Sequence, residues 1–417
     1  YLDWNLIRNP KWANASFSVE DAEAEINGIV QGVGFRPFIH KRVAEFDLSG
    51  EIRNTPFGVS LSLEGEREKV VEFLDTLKES APPLAAIYEI KKSSSEELSG
   101  YSGFSIKESV SGKEKRTFIS PDMAVCDDCV SELFDKGDRR HRYPFINCTN
   151  CGPRFTITRD IPYDRKNTTM ENFPMCENCE AEYSDIDNRR YHAQPDCCGD
   201  CGPKLSFLDN NCEEVAGDAI ENAKSLLSSG GICAIKGLGG YHLAVRADQR
   251  DSVRLLRERK RREEKPFAVM CRDIAVAREV CEISHSEEKL LTSPRRPIVL
   301  LKKKRKEDFS YISENGYIGV MLPYTPVHHL IMEDGLDFLI MTSANLSDLP
   351  IIYKEEEVAF VGDRLYTDMA VTQGTKAQSL LVLSGESTVE DIEKYNIHPT
   401  AVFSSVDEIR KLLLEIY

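Results

Sequence analysis

The stretch CTNCGPRF (Cys148–Phe155) returns further along the chain as CCGDCGPKL (Cys197–Leu205). Cys126 and Cys129 precede the first stretch, and Cys176 and Cys179 precede the second. The pattern CxxC, eighteen residues, CxxC therefore occurs twice, with Cys148, Cys151, Cys198 and Cys201 completing two sets offset by fifty. Zinc suits this pattern: four thiolates close a tetrahedral shell, and a CxxC turn presents two sulfurs to one ion with backbone amides nearby. Each set ends in Cys-Gly-Pro, a tight turn after the last ligand. The alternatives are redox CxxC pairs or incidental thiols, and two complete sets in register favour two structural zinc ions. Spacing leaves open whether each ion draws its ligands from one repeat or from both. Cys197, Cys212, Cys233, Cys271 and Cys281 fall outside the frame and read as small buried hydrophobes.

The 417 residues allow roughly two to four domains, each with its own core. Apolar and charged fractions of 41% and 29% are those of an ordinary globular protein, and no apolar run is long enough to span a bilayer. The expectation is a protein without a membrane anchor. The N-terminal residues lack the basic start and apolar core of an export signal. Thirteen cysteines, eight of them in CxxC pairs, suggest metal thiolates in a reducing cytoplasm rather than a disulfide framework. A net charge of -16 makes nucleic acid an unlikely general partner, although local basic patches remain possible.

Ahead of the cysteines, the pattern predicts a small α/β domain. AEAEINGIV reads as a strand, RPFIHKRVAEFDL as a helix and VSLSLEG as a strand. EREKVVEFLDTLKES places Val70, Val71, Phe73, Leu74 and Leu77 on one helical face, and AIYEIKK and GFSIKES supply further strands. The order βαββαβ is ferredoxin-like. Between the first strand and helix lies GIVQGVGFRPF, in which Gly32 and Gly34 free the backbone to curl its amides inward and Arg36 adds a fork of donors for phosphoryl oxygens. Together with GEIRNTPFGV, this loop resembles the acylphosphatase signature. The resemblance implies that the amides of Gln31, Gly32, Val33, Gly34 and Phe35 and the side chain of Arg36 hold phosphate while Asn54 positions the attacking water. A degenerate domain kept for packing is the alternative.

Beyond the second cysteine set, DAIENAKSLLSSGG predicts an amphipathic helix ending in glycine, and ICAIKGLGGYHLAV predicts a strand, a turn and a strand. LLRERKRREEKPFAVM then packs seven basic residues between Arg254 and Lys265. Such runs are commonly solvated helix faces. Here the run leads straight into an apolar strand, and SPRRPIVLL, LPYTPVHHL and IMTSANLSDLP have the strand-then-polar-turn look of a ligand crevice. The set resembles the YrdC-like domain, with a basic element at Lys260-Arg261-Arg262 or the neighbouring Arg257 and a second element at Ser343-Ala344-Asn345. That resemblance implies a cleft for ATP and bicarbonate or a carbamoyl species, contacted by residues among Lys236, Arg257, Lys260, Arg262, Lys265, Ser343 and Asn345.

The order acylphosphatase, duplicated four-cysteine module, YrdC-like domain resembles the N-terminal three-quarters of the HypF-type carbamoyltransferases of hydrogenase maturation, over roughly residues 24–354. The resemblance implies that carbamoyl phosphate is hydrolysed at the first site and that carbamate travels inside to the second. There ATP, with magnesium, converts it to carbamoyl adenylate. In the family a further domain passes the carbamoyl group to a cysteine of a HypE partner, and no segment here matches that domain. The alternatives are a zinc-stabilised RNA- or nucleotide-binding module, or threonylcarbamoyl-adenylate synthesis. The expected fold class is α+β multidomain. It comprises an unassigned leader over 1–23, a ferredoxin-like acylphosphatase domain over 24–112, tandem four-cysteine zinc modules over 113–208 and a YrdC-like α/β domain over 209–354. Residues 355–417 resemble the end of a haloacid dehalogenase-type phosphatase, with Asp363 and Asp368 as magnesium-holding aspartates but no nucleophilic aspartate upstream.

Overall fold

The computed structural model describes residues 19–82, 84–95, 97–110, 118–210, 213–260, 262, 264–345, 359–362, 378–399 and 401–409. Most of the expected leader, Cys212, Arg261, Asp363 and Asp368 lie outside them. The chain divides into two compact units, Tyr1–Pro203 and Lys204–Tyr417. Among the described residues no helix is long and apolar enough to cross a membrane.

The first unit begins with β1 (Val19–Ile29), α1 (Phe35–Glu45), β2 (Ser49–Thr55), β3 (Gly58–Glu66), α2 (Arg67–Ser80), β4 (Ala86–Ser95) and β5 (Phe104–Ile106). The sheet order β4-β1-β3-β2 is the expected ferredoxin-like one, and the short β5 is added parallel to β2 at the edge. β1 starts inside the expected leader because its alternation reaches back past residue 24: Ala22, Ala24 and Ile26 face the core while Glu23 and Glu25 face solvent. Phe35, Ile39 and Val43 of α1 and Val70, Phe73, Leu74 and Leu77 of α2 close over Ile26, Ile52, Leu61 and Leu63 of the sheet. Each such side chain contributes about 1.5–3 kcal/mol by burial. Val71, expected on the same face, is instead 46% exposed. It lies one step of about 100° from Val70, outside the i, i+3, i+4, i+7 stripe that the others form.

The rest of this unit has little regular structure. α3 (Asp127–Phe134) and α4 (Glu177–Ser184) each start directly after the first cysteine of their repeat and carry the second, Cys129 or Cys179. Asp127 and Asp128 in one first turn, and Glu177 and Glu180 in the other, complement the positive helix end.

The second unit contains α5 (Ala219–Ser228), β6 (Cys233–Gly237), β7 (Gly240–Arg246), α6 (Arg250–Lys260), β8 (Ala268–Cys271), α7 (Ile274–Val280) and β9 (Cys281–Glu282). It continues with α8 (His285–Leu291), β10 (Val299–Lys303), β11 (Tyr317–Met321), α9 (Pro326–Ile331) and β12 (Phe338–Ser343). Seven strands form one mixed sheet, ordered β6-β7-β12-β8-β11-β10-β9. Val245, Val269, Ile318, Val320 and Ile340 from its central strands pack with Val253 and Leu256 of α6 in the core. Cys271 and Cys281 belong to this core, as expected of small buried hydrophobes, and Cys233 and Cys197 are buried too. A separate sheet follows: β13 (Ala359–Gly362), β14 (Gln378–Val382) and β15 (Ala401–Phe403) are parallel, with α10 (Val389–Tyr395) between the last two.

Candidate functional site

The eight expected metal ligands form two clusters, Cys126, Cys129, Cys148 and Cys151, and Cys176, Cys179, Cys198 and Cys201. Each cluster comes from a single repeat, which answers the question that spacing left open. Sulfur–sulfur separations are 3.7 Å (Cys126–Cys148), 3.7 Å (Cys148–Cys151) and 3.5 Å (Cys129–Cys151) in the first, and 3.8, 3.8 and 3.6 Å for the equivalent pairs of the second. Four zinc–sulfur bonds of about 2.3 Å make a tetrahedron with edges of about 3.8 Å, so both clusters fit a structural zinc ion.

The repeats also exchange their outer shells. Arg139 of the first repeat donates to Cys179 Sγ of the second at 3.2 Å and to Glu182 at 2.7 Å. Fifty residues on, Arg189 donates back to Cys129 Sγ at 3.1 Å and pairs with Glu132 at 2.7 Å. The neighbouring arginines repeat the crossing, Arg140 with Glu182 and Arg190 with Glu132. Arg140 also reaches the fully buried Asp196 at 2.9 Å, and Arg190 approaches the same oxygen at 3.5 Å. Burial pushes the Asp196 carboxyl up to about 6 against the pull of both arginines. It pushes the Glu182 carboxyl up as well, but donors from Arg139 and Arg140 win and hold it at about 2.

The phosphate-loop residues converge in the first unit. Gly32 and Gly34 have φ of +72° and +70°, a left-handed backbone that strains any other residue. Gly34 leads into α1, whose first turn tolerates Pro37 because an amide there has no intrahelical partner. Gln31 locks the loop to the β2–β3 hairpin, its amide donating to Thr55 O at 2.9 Å and Gly58 O at 2.6 Å. Arg36 is 9% exposed and Asn54, at the end of β2, 1%. Asn54 Oδ1 is buried without a protein partner.

The wall facing this loop comes from the zinc-bearing segment, and the sequence reading missed it. One small cleft is lined by Gln31, Gly32, Gly34 and Arg36 together with Thr149, Arg154, Tyr163, His192 and Gln194. Arg154 Nε donates to Gly32 O at 2.6 Å while Nη2 reaches Cys148 O and Thr149 O at 3.0 Å, tying the loop to the first zinc turn. Tyr163 N donates to Gln31 Oε1 at 2.8 Å, and Arg36 Nη2 to Asp164 Oδ1 at 3.4 Å. Burial, with help from the Arg36 charge, holds the His192 imidazole down at about 4, neutral at physiological pH. The available signal was modest: Arg154 directly follows Cys-Gly-Pro, and IPYD is a polar turn in an otherwise unassigned linker.

In the second unit the two expected elements meet. Lys260, ending α6, donates to Ser343 O at 2.7 Å and Asn345 O at 3.0 Å, and Ser343 Oγ donates to Asn345 Oδ1 at 2.6 Å. Arg262 Nη1 lies 3.4 Å from Thr342 Oγ1. Burial, reinforced by Arg262, lowers the Lys260 ammonium below its ordinary value. Arg257 points elsewhere: its guanidinium donates to the carbonyls of Tyr311, Ile312, Arg262 and Lys265, which makes it a clamp on the loop after α6. Lys265 is exposed, and Lys236 lies on β6 with its ammonium 5.3 Å from the centre of the Tyr241 ring. His328 of α9, in LPYTPVHHL, is fully enclosed with neither ring nitrogen partnered, and burial, with the nearby His242 and His329, lowers it to about 3.

Known proteins share these parts in this order. The acylphosphatase family model matches residues 22–106, the HypF finger model residues 125–158 and 175–208, and the Sua5/YciO/YrdC model, described as telomere recombination, residues 225–388. Carbamoyltransferase HypF2 of Cupriavidus necator is 46% identical over 353 residues, covering 80% of this chain and 44% of its own length. A crystal structure of full-length HypF in a phosphate- and nucleotide-bound form aligns with a TM-score of 0.75 at 47% identity, over 81% of this chain and 44% of that one. The structure of HypF from T. kodakarensis aligns at 0.72 and 42% identity, over 81% and 43%. The chain thus spans under half the length of these relatives, where three-quarters was expected. With acylphosphatase, paired HypF finger and YrdC-type matches along it and 46% identity over 80% of its length, the chain is similar to a part of the HypF carbamoyltransferases that is under half their length.

Proposed function

We propose that the first unit hydrolyses carbamoyl phosphate and that the second uses ATP to turn the resulting carbamate into carbamoyl adenylate. The observation that carries this reading is that Arg36 lines one cleft with the Gly-rich loop, while Asn54, on the hairpin to which Gln31 ties that loop, holds a buried and unpartnered Oδ1. Arg36 and the loop amides of residues 31–35 hold the phosphoryl oxygens. Asn54 Oδ1, buried and unpartnered, accepts a hydrogen bond from the attacking water and aims it. Water attacks phosphorus, the bond to the bridging oxygen breaks, and carbamate and phosphate leave. No covalent nucleophile is required.

In the second unit, Lys260 and Arg262 lie against Ser343 and Asn345, a cationic and hydrogen-bonding pair of elements suited to a triphosphate and a carboxylate. Carbamate oxygen attacks the α-phosphorus of ATP and pyrophosphate leaves, with magnesium neutralising the phosphates. A HypE-like thiol is the proposed final acceptor. The eight cysteines arranged as metal ligands support a cytoplasmic location. Residues 355–417 are read as a haloacid dehalogenase-like fragment on the parallel strands β13, β14 and β15, although the YrdC-type match extends to residue 388 and takes in the first two of them.

The deciding experiment incubates the protein with carbamoyl phosphate and ATP and follows phosphate and pyrophosphate separately. Release of both, with pyrophosphate requiring carbamoyl phosphate, is expected. Phosphate alone shows that only the first site works, and neither product refutes the proposal.

A further inference from the structure

Asp164 has no part in the mechanism above, yet its carboxylate faces the phosphate-binding arginine. Arg36 Nη2 lies 3.4 Å from Asp164 Oδ1, and the two side chains are 10% and 18% exposed. When a phosphoryl group takes Arg36, a carboxylate is left beside a phosphate. Two anions brought close together near a protein surface repel. A carboxylate placed there weakens a plain phosphate site unless a donor comes between.

Two neighbouring guanidinium groups are already committed to backbone carbonyls. Arg154 spends its guanidinium on the carbonyls of Gly32, Pro153, Cys148 and Thr149. Arg165 spends its own on those of Gln194, Asp196 and Phe173. His192, its pKa held down to about 4 chiefly by burial, brings no positive charge. The Tyr163 ring, packed 3.1 Å from where a Gly32 Cβ would sit, narrows the cleft further. A donor arriving with the substrate would meet that carboxylate directly and relieve the repulsion.

Acyl phosphates differ in the acyl group alone, which sits one oxygen away from the phosphorus. A carbamoyl group ends in an NH₂ with two donors, and an acetyl group of similar size ends in a methyl with none. We propose that Asp164 accepts a hydrogen bond from the carbamoyl N–H and is the specificity-determining residue by which this cleft selects carbamoyl phosphate over acyl phosphates without an N–H. The inference rests on the reading of the cleft as a carbamoyl phosphate hydrolase. It assigns to the zinc-bearing segment a direct role in substrate choice.

The test measures kcat/KM for carbamoyl phosphate and for acetyl phosphate with the full chain, as the parent, Asp164→Ala and Asp164→Asn. Zinc content and competitive inhibition by inorganic phosphate report folding of the site. The parent should prefer carbamoyl phosphate, and Asp164→Ala should lower the carbamoyl-to-acetyl ratio by at least about tenfold, since a site built to bind N–H discriminates through that bond. Asp164→Asn, isosteric and keeping one acceptor oxygen, should fall in between, and it carries the test if the alanine variant loses zinc. An unchanged ratio in a zinc-loaded variant, with both substrates slowed alike, shows that Asp164 merely orients Arg36 and overturns the proposal. A parent that hydrolyses acetyl but not carbamoyl phosphate also overturns it while leaving the acylphosphatase chemistry standing. A parent that hydrolyses neither removes the underlying reading as well.

Discussion

Arg36 and Asn54 are buried polar side chains in a small domain, and their burial has a cost that packing alone does not justify. If Arg36 holds phosphoryl charge, Arg36→Ala should cut carbamoyl phosphate hydrolysis by about a hundred- to a thousandfold while the zinc content stays at the parent level. Asn54→Ala should lower kcat more than it raises KM, because the attacking water is aimed in the transition state. Steady-state kinetics decide this, and parent rates in both variants would falsify the role of the loop. His192 makes a separate statement about pH. Its folded pKa of about 4 lies below the unfolded 6.5, so between those values the unfolded chain binds the extra proton. The stability due to the neutral imidazole is complete above pH 6.5 and is lost as pH falls through about 4. The size of the effect is no more than about 3 kcal/mol. The slope of unfolding free energy against pH over that window should be shallower in His192→Asn than in the parent, and equal slopes would count against burial as the cause.

At the scale of elements, the crossed arginines make the two zinc repeats one object. Each metal cluster takes its sulfurs from its own repeat, but a guanidinium that neutralises them comes from the other. Outer-shell partners of this kind typically change metal affinity by about ten- to a hundredfold. Arg139→Met should therefore weaken zinc at Cys176, Cys179, Cys198 and Cys201, and Arg189→Met should weaken it at Cys126, Cys129, Cys148 and Cys151. Competition with a chromogenic chelator should show about two zinc ions per parent chain and one loosened ion in each variant. If each substitution instead loosens the cluster of its own repeat, the exchange has no energetic content. The same elements show what was legible beforehand. The sets of four cysteines could be read because CxxC and an eighteen-residue return are local constraints on how one chain wraps one ion. The arginine exchange could not be read, because RR at Arg139-Arg140 and Arg189-Arg190 looks like any solvated basic pair until the two turns are packed together.

For the whole molecule, the division into two units carries a prediction about chemistry. Lys260→Ala or Asn345→Ala should suppress pyrophosphate release from ATP by about a hundredfold or more, since each removes a group placed for phosphate or carbamate. Phosphate release from carbamoyl phosphate should continue at the parent rate, because Arg36 and Asn54 belong to the other unit. Parallel assays of the two products check this, and joint loss in a folded variant would mean that the reactions are not separable. By itself the sequence determined the ferredoxin-like order of strands, the Gly-rich loop after β1 and the two sets of four cysteines. Each of these depends on side-chain period, turn chemistry or short spacing, which the covalent chain enforces locally. It misjudged Val71 and the start of β1, where one residue of phase or a few residues of alternation decide. Only the tertiary structure placed Asp164, Tyr163 and His192 against a loop from the start of the chain. Arg36 and Asp164 are 128 residues apart in sequence, and such a contact follows from how the zinc-bearing segment packs on the sheet domain, for which no local pattern exists.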